Sequence, residues 1–127
     1  MAKRKLLVDG NNLTLDKIEH FIDHNQQIAL TKNAESRIVR ARKLIDDWVD
    51  NDRIIYGVTT GFGEFANIKI SKSKIEELQK NLIVSHAAGV GELLPPFIIK
   101  TMMLLRVNAL AKGHSGIRLK TLKLLKS

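Results

Sequence analysis

The sequence has no cysteine. That excludes disulfides, thiol nucleophiles and cysteine metal sites, and it fits a reducing compartment. Aromatic residues make up only 5% of the chain, so a core has to be built from Leu, Ile, Val, Ala and Met. No apolar run is long enough to span a bilayer. The opening Met1-Ala2-Lys3-Arg4-Lys5-Leu6-Leu7-Val8 begins like a signal peptide, but its apolar stretch stops at Asp9, too soon for a secretory core region. The expected location is the cytoplasm. No metal-ligand set is visible: His20 and His24 are spaced i, i+4, but no third ligand follows in the usual pattern, so they read as a solvent-facing pair. Gly57, Gly61 and Gly63 lack dinucleotide-fingerprint spacing, and no phosphate loop ends in Lys-Ser or Lys-Thr. Ser85 and His86 are sequence neighbours, which rarely face each other, so they are not read as a catalytic dyad.

What is present is a chain of 127 residues with 44% hydrophobic and 27% charged content, enough for one modest domain with its own core. The formal net charge is +8, which raises an acidic partner such as nucleic acid. The basic residues are nevertheless spread among acids. Their densest region, Arg118, Lys120, Lys123 and Lys126, reads as a solvated helix face.

The pattern predicts a mainly α fold, a helical domain with short extended segments and glycine-rich loops. Asp9-Gly10-Asn11-Asn12 is a turn, and Thr14 caps a helix reaching about His24, with Leu15, Ile18, Phe21 and Ile22 on one side. Gln26 to Leu30 is a short, extended link. Thr31 caps a second helix whose stripe Ala34, Ile38, Ala41, Ile45, Trp48 is apolar at alternating steps of four and three, ending at Asp50-Asn51-Asp52. Trp48 is expected in the core. Ile68 and Ile70 form a short extended piece, and Ser73 and Glu76 have capping-box spacing for a third helix with Ile75, Leu78, Leu82 and Ile83 inward. Pro95 and Pro96 suit the first turn of a fourth, apolar on most sides through Leu110, which is expected to be buried by more than one neighbour. After a turn at His114-Ser115-Gly116, a last helix carries Leu119, Leu122 and Leu125. No later element is available to cover that stripe, so self-association or partial disorder at the C-terminus is expected, and the chain reads as cut within a helical domain.

The stretch with most functional content is Tyr56-Gly57-Val58-Thr59-Thr60-Gly61-Phe62-Gly63. Its glycines make it a shaped loop, and Ile54-Ile55-Tyr56 reads as a brief strand leading into it. Taken alone, the loop is a tight turn with a surface tyrosine. A phenol works as a general base only when positive charge or a helix dipole lowers its pKa from about 10. His86 precedes a second glycine loop, Gly89-Val90-Gly91. The commoner use of such a histidine is to satisfy a carbonyl at a helix C-terminus. Alternatively, two loops on helix ends form one wall of a cleft, where the ring hydrogen-bonds a substrate.

Four blocks taken in order carry a resemblance. They are the Tyr56–Gly63 loop, Leu78-Gln79-Lys80-Asn81-Leu82, Ser85-His86-Ala87-Ala88-Gly89-Val90-Gly91-Glu92, and Met102 through Gly116. Together they resemble the N-terminal part of the aromatic amino acid ammonia-lyases, most of all the histidine-specific branch. Asp9-Gly10-Asn11-Asn12-Leu13-Thr14 also looks like that family's opening.

The resemblance implies a mostly helical homotetramer that deaminates an aromatic amino acid non-oxidatively to a 2-enoate; from L-histidine the products are urocanate and ammonia. It implies a methylidene-imidazolone electrophile, self-formed from an internal Ala-Ser-Gly. Carried over residue by residue, Tyr56 takes the place of the base that accepts the β-proton. His86 takes the place of the residue that meets the substrate ring. Gly63 and Gly61 let the tyrosine loop lie against the substrate, and Gly57, Gly61, Gly89 and Gly91 shape the two loops.

The sequence departs from the pattern in one large respect: it contains no Ala-Ser-Gly. Lys120 also falls where the family commonly has a proline soon after the arginine. The expectation is therefore a single N-terminal lyase segment over residues 1–127, inactive alone and without a cofactor of its own. The alternative is a freestanding binding or regulatory protein on the same fold, with an acidic partner.

Overall fold

The computed structural model describes residues 4–60 and 72–127, without the side chains of Lys72, Ser73 and Ile75. The expectations for Gly61, Phe62, Gly63, Ile68, Ile70 and the Ser73 cap lie outside them. The fold is mainly α, with five helices and two short strands among the described residues: β1 (Lys5–Val8), α1 (Leu15–Asp23), β2 (Gln27–Leu30), α2 (Lys32–Asp50), α3 (Lys72–His86), α4 (Pro96–Ala111) and α5 (Leu119–Leu125). Two compact units divide them. One comprises residues 1–43 and 93–127, the other residues 44–92.

In the first unit, β1 and β2 pair in parallel, Lys5 opposite Gln27 through Val8 opposite Leu30. A tight turn cannot join parallel strands, and α1 supplies the crossover. Thr14 caps α1 by accepting the Lys17 N–H at 3.4 Å. The helix closes at Asn25, which holds φ 45° while the Gln26 N–H reaches back to the Phe21 carbonyl at 3.1 Å. That is a Schellman closure, with asparagine in the place usually given to glycine. Thr31 begins α2 by accepting the Ala34 N–H at 3.2 Å.

The core is Val8, Phe21, Ile28, Ala34, Ile38, Leu104, Val107, Ala111 and Leu122, so every element of this unit contributes. α4 is central, packed against β1, α1 and α5. Lys5–Val8, which reads at first as the start of a signal peptide, is a strand whose Val8 is buried.

Three side-chain expectations are corrected. Leu15 is 83% exposed, because the first turn of α1 precedes the packed face that Phe21 centres. α4 does pack against more than one neighbour, as expected, but full burial is confined to Leu104, Val107 and Ala111, and Phe97, Met102 and Leu105 are exposed. The stripe on α5 does have a partner: Leu122 is fully buried, and Leu119 and Leu125 pack against the core. In the basic tail Arg118, Lys120 and Lys123 are exposed as expected, with Lys123 3.2 Å from Glu35 on α2, whereas Lys126 is half-buried.

Asp9 organises the turn between β1 and α1. Its carboxylate accepts the backbone N–H groups of Asn11 and Asn12 at 2.8 and 2.9 Å. The Asn11 bond above all holds its pKa below the usual carboxylate value, with help from Asn12 and the Arg37 guanidinium and against partial desolvation. Arg37 on α2 also donates to the carbonyls of Asp9 and Ala111, joining the turn to the end of α4.

Candidate active-site segment

The second unit begins in the last turns of α2 and carries both residues singled out for chemistry, Tyr56 and His86. Asp52, at φ 54°, ends α2: the Arg53 N–H bonds the Trp48 carbonyl at 2.9 Å and the Asp52 N–H bonds that of Val49 at 3.3 Å. Trp48 itself is only half-buried.

The expected strand at Ile54-Ile55-Tyr56 does not form. Residues 53–55 are irregular and Tyr56 opens a turn. β-prone side chains make a strand only with a ladder partner, and local hydrogen bonds take up this backbone instead. The Val58 and Thr59 N–H groups both reach the Ile55 carbonyl, at 3.1 and 3.0 Å. The Thr59 hydroxyl accepts the Ile55 N–H at 2.9 Å and donates to the Arg53 carbonyl. The Thr60 hydroxyl accepts the Gly57 N–H at 3.3 Å.

Gly57 sits at φ 69°, a conformation that costs glycine little. Thr59 and Thr60 are buried, at 4% and 1% exposure, whereas Tyr56 is 63% exposed. The loop thus turns its hydroxyls inward and leaves a large part of the phenol accessible.

Among the described residues of this unit, no apolar side chain is fully buried. On α3, Leu78 and Leu82 are half-buried, and Ile83, expected inward, is exposed. α3 ends at His86, with the Ala87 N–H on the Ile83 carbonyl at 2.9 Å.

The exposed His86 ring brings Nδ1 to 2.8 Å from the Leu82 carbonyl. A carbonyl only accepts, so Nδ1 carries the proton, and in the neutral ring Nε2 holds the lone pair. The Ser85 hydroxyl lies 3.0 Å from the same carbonyl and 3.0 Å from His86 Nδ1. The two neighbours therefore do meet, contrary to the sequence expectation. Both are anchored on one carbonyl at a helix end, so the contact orients the ring; it is not a nucleophile–base pair, because the shared nitrogen is already a donor.

In the second loop, Gly91 holds φ 98°. At Gly89 no atom of the described residues lies within 4 Å of where a Cβ would stand. Gly61 and Gly63 fall outside the described residues. Thr59 and Thr60 are the site residues the sequence reading passed over. The available signal was two hydroxyl residues shortly after a turn-forming tyrosine and glycine, the setting for side-chain-to-backbone turns.

Elsewhere, the His20 and His24 rings stack at 3.9 Å between centroids, with no group of three or more metal-type ligands among the described residues. No described helix is long and apolar enough to cross a membrane.

Comparison with known proteins gives this segment its context. The profile of the family "Aromatic amino acid lyase" matches residues 13–127. Over 122 residues the chain is 48% identical to the histidine ammonia-lyase of Alkaliphilus oremlandii, covering 96% of this chain and 24% of that protein. The crystal structure of histidine ammonia-lyase from Trypanosoma cruzi superposes with a TM-score of 0.86 at 41% identity, over 96% of this chain and 23% of that one. The ergothioneine-degrading ergothionase of Treponema denticola superposes at 0.88 with 26% identity, over 96% and 24% of the two chains. The chain thus spans about a quarter of the length of these relatives. By the extent of these matches, the chain belongs to the aromatic amino acid lyase family.

Proposed function

We propose that the chain is the N-terminal portion of a histidine ammonia-lyase, contributing two side chains to the elimination of ammonia from L-histidine. The observation that carries this reading is the 48% identity with a histidine ammonia-lyase across nearly the whole chain, including the segment that bears Tyr56 and His86.

Tyr56 is the base that takes the β-proton. Tyr56 is 63% exposed, which suits approach by a substrate, and the hydrogen-bonded loop around it limits the positions it samples. His86 binds the substrate's imidazole. With Nδ1 held by Leu82, Nε2 accepts a hydrogen bond from a ring N–H, a donor that a phenylalanine side chain lacks. Discrimination by a polar group left unpaired with the wrong substrate is strong. Gly63 and Gly61 let the tyrosine loop approach the substrate closely.

A β-proton of an amino acid is weakly acidic and needs stabilisation that a phenol alone does not supply. The family's methylidene-imidazolone would provide it. This sequence contains no Ala-Ser-Gly, so its residues cannot form that group, and on this reading the rest of the lyase polypeptide supplies it. The working enzyme is a homotetramer, for which the exposed apolar residues of α4 give support.

The test is a chimera in which this chain replaces the corresponding segment of the Alkaliphilus oremlandii enzyme. Histidine is expected to yield urocanate, followed by its near-ultraviolet absorbance, whereas the 127-residue chain alone yields none. Tyr56→Phe in the chimera should lower kcat by about a hundredfold or more, the usual scale of a lost general base. Undiminished turnover removes Tyr56 from the reaction.

A further inference from the structure

We propose that Thr59 and Thr60 are positioning residues for Tyr56: their buried hydroxyls fix the backbone on both sides of the tyrosine and thereby set where its phenol stands. This rests on the reading of Tyr56 as the proton acceptor. The loop lacks the two usual means of holding a catalytic side chain, since Tyr56 lies on neither a helix nor a strand and is itself largely exposed.

The hydroxyls act in its place. A threonine hydroxyl offers one proton and two lone pairs. Thr59 uses both kinds, donating to the Arg53 carbonyl and accepting from the Ile55 N–H at 2.9 Å. It closes a ring of backbone over the residues just before Tyr56. Thr60 accepts from the Gly57 N–H at 3.3 Å, the group just after it. Tyr56 is therefore bracketed by two independent anchors, one per hydroxyl. A β-branched threonine is restricted at χ1, so each hydroxyl is held for its bond. Catalytic groups need placement within roughly half an ångström, which supporting hydrogen bonds provide.

The arrangement makes a crossed prediction that general loosening of the loop does not imitate. Amide exchange is followed by NMR in the 127-residue chain. The Ile55 and Gly57 N–H groups should both exchange more slowly than unfolded-chain rates. Thr59→Val, nearly isosteric but without the hydroxyl, should remove protection at Ile55 and keep it at Gly57. Thr60→Val should do the reverse, and Thr59→Ser should behave as wild type.

Unfolded-chain exchange at both amides in the wild type overturns the proposal. So does a Thr59→Ser variant whose Ile55 N–H exchanges at the unfolded-chain rate. These two readouts decide the matter even if a valine variant fails to fold.

In the chimeric lyase, Thr59→Val should lower kcat by about tenfold or more, the scale of a small misplacement of a reacting group. KM should change little, and Thr59→Ser should restore turnover; unchanged kcat in Thr59→Val overturns the positioning role. If Tyr56→Phe stays active while the exchange pattern holds, the base assignment fails and the anchors stand. If Tyr56→Phe is inactive and the pattern is absent, the reverse is true.

Discussion

The side-chain carbonyl of Asn108, on α4, accepts the backbone N–H of Gly10 at 3.1 Å, across 98 positions of sequence. Gly10 is buried, so this donor has little access to water. Asn108→Ala leaves it without its partner and should destabilise the chain by about 1–3 kcal/mol, the cost of an unsatisfied buried polar group. Urea unfolding followed by circular dichroism measures it; an unchanged midpoint means that water replaces Asn108.

Gly113 closes α4 at φ +81°, and a Cβ there would stand 2.8 Å from Arg37 Cβ and 3.1 Å from its carbonyl carbon. Gly113→Ala therefore combines backbone strain with a clash against α2. The expected loss is about 2–4 kcal/mol, adding the two costs. A crystal structure of the variant should show Arg37 displaced from the Ala111 carbonyl. Wild-type stability with Arg37 in place contradicts the expectation.

Leu122 on α5 is fully buried. Leu122→Ala should cost about 2–5 kcal/mol, whereas Leu124→Ala, at a side chain 68% exposed, should change stability by less than about 0.5 kcal/mol. Thermal unfolding of the pair tells whether α5 is docked; equal effects mean that it is not.

Asp9 supplies a pH dependence with a definite sign. Its carboxyl has a lower pKa in the folded chain than its ordinary value, chiefly through the Asn11 N–H. The unfolded chain therefore binds its proton first as pH falls. The resulting stabilisation is complete above the ordinary value of about 3.9 and is lost as pH drops through the lower folded-state value. Asp9→Asn should remove this contribution, so wild type and variant should differ most above pH ~4 and converge in stronger acid. Urea midpoints across that range check it; a constant gap excludes the linkage.

Local chemistry was legible in the sequence. Thr14, Thr31 and the Asp9 turn are visible because a cap and its N–H lie within three residues of each other. Distant pairing was not. β1 becomes a strand only through a partner 22 positions later, as Lys5 opposite Gln27 shows, and the α5 stripe finds its cover on α4, earlier in the chain. Ile54-Ile55-Tyr56 failed for a related reason: β propensity reports how side chains fit a sheet, and here the Thr59 hydroxyl takes the Ile55 N–H instead. At the candidate site, Tyr56 and His86 stood out because of the glycines beside them. The threonines did not, since nothing in a Thr-Thr pair says which backbone groups it will reach.

The loop around Tyr56 is closed by hydroxyls with no fully buried apolar side chain among its described residues, and this sets its response to solvent and heat. Breaking the Thr59 and Thr60 hydroxyl bonds in itself exposes little hydrocarbon, so the heat-capacity change and urea dependence of that step should both be small. The unit containing α4 buries a continuous apolar core and should melt with a steep dependence on both. Tyr56 could thus leave its resting geometry under conditions in which the rest of the chain gives no sign of unfolding.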